Sequence, residues 1–255
     1  MTMESSSWFP YGMGRVPTGL RLFCLPPAGG GASGYRAWPG SFDRRVDVVP
    51  VQLPGREARL GERPVSSAPE LVERLVEPLC NHVEGRFALF GHSMGALLAY
   101  DLAYALSQHG RPPDHVVVSA HLPPHLLHLR RWEPPAMEMS DADLRDYLAD
   151  SGGTPQAVLD EPELMELVLP GLRADLELCQ SYPYVPRRPL PIPITALGGD
   201  ADPVVTPELL ARWAERTSAA FRMVVLPGGH HYLHEDLAAT ADAVTSALLE
   251  GITRR

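Results

Sequence analysis

The chain has 255 residues, a formal net charge of −9, 45% hydrophobic and 21% charged residues, which suits a globular protein with a sizeable core. All 22 basic residues are arginines; this excludes P-loop phosphate binding, lysine Schiff bases and Ser-x-x-Lys nucleophiles, each of which needs an ammonium group. The acidic balance argues against nucleic-acid binding, and no apolar run approaches the roughly 20 residues that cross a bilayer.

The first residues, up to Pro17, contain no basic segment followed by an apolar one, so no secretory leader is expected and a cytoplasmic location is. Short apolar runs then read as strands at 20–26, 46–53, 86–92, 115–120, 193–199 and 221–228. Amphipathic stretches at 68–83, 94–110, 206–218 and roughly 235–250 read as helices between them. Such alternation predicts a doubly wound, mostly parallel α/β sheet. Residues 121–192 break the rhythm, because 72 residues are far more than one crossover helix needs. Within them Ser140 and Asp143 form a capping-box pattern that starts a helix, and Gly152 ends it. A second helix spaces Leu164, Val168, Leu172 and Leu176 four apart, which reads as one apolar face lining a substrate channel. The expected organisation is a core of 1–120 and 193–255 with a helical lid inserted at 121–192, before the strand at 193–199. Cys24, Cys80 and Cys179 are widely spaced among apolar neighbours and read as buried thiols.

The chemistry concentrates at Gly91-His92-Ser93-Met94-Gly95, a Gly-x-Ser-x-Gly pattern between a strand and a helix. There the glycines permit a sharp turn that presents the serine hydroxyl at the helix N-terminus. A nucleophilic serine needs a base, and the base an orienting carboxylate, in the order Ser, Asp, His. The next strand candidate ends in Gly199-Asp200-Ala201-Asp202-Pro203 and the last in Gly228-Gly229-His230-His231. Asp202 is favoured over Asp200 by its position three residues beyond Gly199 and before Pro203. Asp200 is expected to cap the loop through its own backbone. His230 directly follows the glycine turn and is favoured, with His231 pointing away. The oxyanion donors are expected to be the backbone amides of Met94 and of Ala28, in the small-residue loop Pro26–Gly31. His121, His125 and His128 have a loose metal-ligand spacing, but the prolines between them spoil a shared helical face, and no metal is expected.

Six blocks carry a resemblance: LPPAGGGASGYRAW, VQLPGREARLGERP, ALFGHSMGALLAYDLA, LPGLRADLELCQSY, ITALGGDADPVVTPELLARW and LPGGHHYL. In this order, from about Leu20 to Leu233, the chain resembles the discrete type II thioesterases of polyketide and nonribosomal peptide assembly lines. The blocks around Pro54-Gly55-Arg56 and Leu172-Arg173-Ala174-Asp175 are more specific than the serine motif. The resemblance implies an α/β-hydrolase fold, a triad of Ser93, Asp202 and His230, and removal of aberrant acyl groups from the phosphopantetheine arm of acyl or peptidyl carrier proteins. It implies no cofactor beyond the arm that the substrate carries, and a monomer is expected. His231-Tyr232 departs from the two aromatics usual in the family. A carboxylester hydrolase or lipase would share the triad, and a catalytically silent binding protein of the same fold is the alternative from another class.

Overall fold

The computed structural model describes residues 7–12, 19–83, 85–130, 134–151, 154 and 156–250. Six strands, β1 Leu20–Leu25, β2 Val46–Pro50, β3 Arg86–His92, β4 His115–Ser119, β5 Ile194–Gly199 and β6 Phe221–Leu226, form one sheet in the order β2-β1-β3-β4-β5-β6. Every neighbouring pair is parallel. The helices are α1 Ala68–His82, α2 Met94–Gln108, α3 Asp141–Ser151, α4 Gln156–Leu159, α5 Pro162–Gln180, α6 Pro207–Ala211, α7 Tyr232–Glu235 and α8 Leu237–Glu250. All six predicted strands and the predicted crossover helices are therefore found, most with ends a residue or more shorter than the apolar runs. The stretch 206–218 forms α6 and then a 3-10 turn at Arg212–Arg216.

Continuously apolar strands are what a sheet covered on both faces requires. Successive side chains alternate between two cores. Phe23, Leu25, Leu89, Val116, Val118 and Ala196 pack under α1 and α2 with Leu75, Leu98 and Trp213. Leu22, Cys24, Ala88, Phe90, Val117 and Leu197 pack on the opposite face, against Tyr35, Trp38 and α8 residues Val244 and Leu248. Cys24 and Cys179 are buried and Cys80 is half-buried, all as free thiols.

Between β4 and β5 no strand is added among the described residues. The chain runs through 3-10 turns at Pro124–Leu129 and Ala136–Glu138 and then α3, α4 and α5. The capping box at the start of α3 forms in both directions: the Ser140 amide donates to Asp143 Oδ2 (2.7 Å) and the Asp143 amide to Ser140 Oγ (3.2 Å). Gly152, the expected stop, lies outside the described residues. Ala136, Leu144, Leu148, Met165, Leu169, Leu172 and Leu176 make a small core of their own. The segment is nevertheless tied to the main body, since Leu122, Leu178, Leu190 and Ile192 belong to the core under α1 and α2.

The four-apart face needs correction. Leu172 and Leu176 are fully buried, but Val168 is half-buried and Leu164 is 43% exposed. Steps of four residues advance about 40° beyond a full turn, so three of them rotate the stripe by about 120°. The buried stripe of α5 is Met165, Leu169, Leu172 and Leu176, and it faces helix α3 as packing.

Candidate active site

Strand β3 is central in the sheet and ends at His92, and α2 begins at Met94, leaving Ser93 alone to turn the chain. Ser93 adopts φ +51° and ψ −120°, a strained conformation for a residue with a side chain. Its amide donates to the Ser119 carbonyl at the end of β4 (2.8 Å), which holds the turn in place. The flanking glycines are required by crowding: a Cβ on Gly91 would collide with the Gly95 carbonyl, and one on Gly95 with the Leu25 carbonyl.

The structure brings the three predicted side chains together from β3, β5 and β6. Asp202 follows β5, and its Oδ1 accepts from the amides of Val204 (2.8 Å) and Val205 (3.0 Å). Its Oδ2 lies 2.8 Å from His230 Nδ1. His230 Nε2 in turn lies 3.0 Å from Ser93 Oγ. Burial opposes the charge on Asp202, but the hydrogen bonds and charge of His230 and the two amides outweigh it and hold its carboxyl below the usual carboxylate range. An ionised Asp202 makes His230 Nδ1 the protonated nitrogen, leaving Nε2 to accept from the Ser93 hydroxyl.

Asp200 does not cap its own loop. Its Oδ1 accepts from the Gly228 amide (3.0 Å), and its own amide donates to the Leu226 carbonyl (2.9 Å), so it splices the acid loop to the histidine loop. His231 does not simply point away either. Its ring centroid lies 5.3 Å from that of His92 and 5.2 Å from that of His230. Burial and the neighbouring imidazoles lower its pKa to about 4, so it is neutral at pH 7. Of the other histidines, His121 is buried with Nδ1 on the Leu122 carbonyl, His125 lies 3.1 Å from Glu215, and His128 is exposed.

Met94 is the first residue of α2, where an amide has no helical partner. Ala28 lies in the loop after β1, between neighbours that are firmly held. The Gly29 amide donates to Asp175 Oδ2 (2.8 Å) and the Gly30 amide to the Pro27 carbonyl (3.0 Å). Arg56 Nη1 donates to the Gly30 carbonyl (3.0 Å) and to Asp175 Oδ2 (2.6 Å), and its Nη2 to Asp175 Oδ1 (2.8 Å). Among the described residues the Ala28 amide has no acceptor. This forked, buried ion pair is what the two specific sequence blocks build, and sequence reasoning attached no role to Arg56 or Asp175. The signal was present in those blocks, but nothing in either block alone names its partner.

The chain is similar along most of its length to characterised proteins. A Thioesterase domain family model matches residues 20–248. The gramicidin S biosynthesis protein GrsT of Aneurinibacillus migulanus is 37% identical over 237 residues, which cover 91% of this chain and 90% of that protein. Thioesterase PikA5 of Streptomyces venezuelae is 34% identical over 256 residues, 98% of this chain and 88% of that one. Among solved structures, the type II thioesterase BorB from the borrelidin biosynthetic cluster superimposes with a TM-score of 0.83 at 37% identity, over 91% of this chain and 94% of that one. With its parallel sheet and serine turn, the chain thus belongs to the thioesterase family, on the α/β-hydrolase fold, and is similar to type II thioesterases of that family.

Proposed function

We propose that the protein is a serine thioesterase that releases acyl groups from the phosphopantetheine arm of acyl or peptidyl carrier proteins, an editing role in polyketide or nonribosomal peptide biosynthesis. The observation that carries this reading is the unbroken relay from Asp202 through His230 to Ser93, with links of 2.8 and 3.0 Å. A silent binding protein would have no need of the complete relay.

In this reading Ser93 Oγ attacks the thioester carbonyl while His230 Nε2 takes its proton. The new oxyanion is held by the amides of Ala28 and Met94. Collapse breaks the carbon–sulfur bond, and the proton on His230 passes to the departing thiolate. Water then attacks the acyl-serine with His230 again as base, releasing the free acid and restoring Ser93. Asp202 keeps the imidazole in the required tautomer and stabilises its cation. The residues supply every proton transfer, so the reaction calls for no cofactor besides the arm that belongs to the substrate. Residues 121–192 are the proposed lid, and the enzyme is proposed to act as a cytoplasmic monomer. No helix among the described residues is long and apolar enough to cross a membrane.

A fluorophosphonate probe tests the nucleophile: wild type is expected to label and Ser93→Ala, with an unchanged melting transition, is expected not to. Hydrolysis of an acyl-carrier protein is then compared with that of a matched oxygen ester. A preference for the oxygen ester would make the protein a carboxylester hydrolase.

A further inference from the structure

Strand β4 lies between β3, which leads to Ser93, and β5, which leads to Asp202. The residues just past its end therefore sit between the nucleophile and the acid, and each is held. Ser119 Oγ lies 2.8 Å from His92 Nδ1 and 2.7 Å from the Tyr232 hydroxyl, while its carbonyl accepts from the Ser93 amide. Ala120 then adopts φ +48°, uncommon for a residue with a Cβ, with its amide on the Leu197 carbonyl (2.9 Å). The His121 carbonyl accepts from Trp213 Nε1 (2.7 Å). Strain of this kind persists where the surroundings over-determine it, and it gathers at working sites.

What this turn delivers is the His121 imidazole. Its Nδ1 lies 2.8 Å from the Leu122 carbonyl, which can only accept, so Nδ1 carries the proton and Nε2 is bare. The residue is only 2% exposed, and Nε2 has no partner among the described residues. Unlike His92 Nε2 and His231 Nδ1, however, it is not sealed from solvent. An open acceptor on so buried a residue calls for a donor from outside the chain. The ring stays uncharged, because burial first and the charge of Arg130 second lower its pKa to about 3. The charges of His230 and Asp202 act on it as well, so it stands near the imidazole that passes its proton to the departing sulfur. The loop with Ala28 follows β1, on the other flank of β3. His121 is thus opposite the oxyanion donors, on the flank left to the thiol.

We infer that His121 Nε2 accepts the first amide N–H of the pantetheine arm, which makes His121 a specificity residue for the leaving group; this deepens the thioesterase reading on which it rests. In the arm two methylenes separate the thioester sulfur from that nitrogen, so the N–H stays close to the reacting carbonyl. A hydrocarbon acyl chain brings no donor, and a plain alkyl thiol brings none either. A neutral acceptor suits an amide N–H, which carries no charge of its own. An arm that leaves Nε2 unpaired loses one hydrogen bond, and the loss falls on the thiol side whatever the acyl group is.

The test compares S-butyryl-N-acetylcysteamine with its ketone analogue, in which a methylene replaces the N–H, on wild type, His121→Leu and His121→Phe. Butyrate release is followed, and each substrate is corrected for its rate with hydroxide. Wild type is expected to favour the amide substrate in kcat/KM by about tenfold, the ratio one net hydrogen bond supports. Both variants remove the acceptor and are expected to lose on the amide substrate while keeping most of their rate on the ketone. A fall of the ratio towards one in either folded variant supports the inference. A wild-type ratio at or below one overturns it. So does a ratio that survives in the folded variants through equal losses on both substrates, which would mark packing or a hold on the attacking water. Both results leave the thioesterase reading intact. Hydrolysis of neither thioester by folded wild type overturns the thioesterase reading itself.

Discussion

Ser93 sits in a backbone conformation that costs on the order of 1–3 kcal/mol, and it persists because the Ser119 carbonyl and two glycine contacts leave the chain no other path. The acid loop offers a sharp comparison on the same principle of fixed geometry. Asp202 and Asp200 are two residues apart, yet one holds the His230 imidazole and the other holds the Gly228 amide. Asp202→Asn puts an amide where a carboxylate selects the tautomer, and kcat is expected to fall by about 10⁴. Asp200→Asn keeps an oxygen that can accept from Gly228, so a loss of about tenfold or less is expected. Steady-state kcat on one thioester, with folding checked by melting, separates the two. A dead Asp200→Asn enzyme beside an active Asp202→Asn enzyme would reverse the assignment.

Helix α5 and the loop after β1 are joined by the Arg56–Asp175 pair. Asp175 is fully buried, and the guanidinium shares it with the Gly29 amide. Arg56→Met leaves that carboxylate without its cation and is expected to cost about 3–5 kcal/mol of stability. Adding Asp175→Leu removes the orphaned charge and is expected to restore much of the stability. The loop around Ala28 stays untethered in the double variant, so its kcat is expected to remain low. Thermal melts and kcat on wild type, Arg56→Met and the double variant read the two effects apart; a stable double variant with wild-type kcat would show that the loop does not need the pair. The same helix changes what Leu172→Trp should do. A Cβ built on Gly29 would stand 3.3 Å from Leu172 Cδ1, so Leu172 packs against the loop and a larger side chain has no free space there. Turnover of acetyl and octanoyl thioesters is expected to fall by similar factors, whereas a loss confined to octanoyl would mark a channel wall.

Across the fold, His92, His115 and His121 are buried and uncharged. Burial is the largest cause in each case, lowering His115 to about 4, His121 to about 3, and His92 well below the ordinary value. In the unfolded chain each would bind a proton as the pH drops below about 6.5. Between that pH and the folded values the unfolded state holds more protons, so stability falls on acidification and is level above neutrality. Each group contributes up to about 1.4 kcal/mol per pH unit, and three together about 4, against the 5–15 kcal/mol typical of a domain. The urea midpoint is expected to be equal at pH 8 and 7.5 and to drop steeply at 5.5 and 5. A midpoint that holds or rises on acidification would contradict this.

What could be read without coordinates was what is written locally. Continuous apolar runs announce strands covered on both faces, because alternate side chains must each find a core. The Gly-x-Ser-x-Gly turn, Asp202 and His230 each sit at a strand end, where a parallel sheet gathers its loops, so order along the chain sufficed to nominate them. The partnerships needed the folded chain. Arg56 and Asp175 are 119 residues apart, and Ser119 and Tyr232 are 113 apart. No local pattern says which buried donor will meet which acceptor. Leu164 is exposed while Leu172 and Leu176 are buried for a related reason: a four-residue spacing names a stripe on a helix, but the neighbours α5 meets decide which part of the stripe is buried. The direction of His231 likewise depended on the ring of His92, a residue on another strand. Hydrophobic alternation is a property of neighbours in sequence, while hydrogen-bond satisfaction is a property of neighbours in space, and the second exists only once the chain has packed.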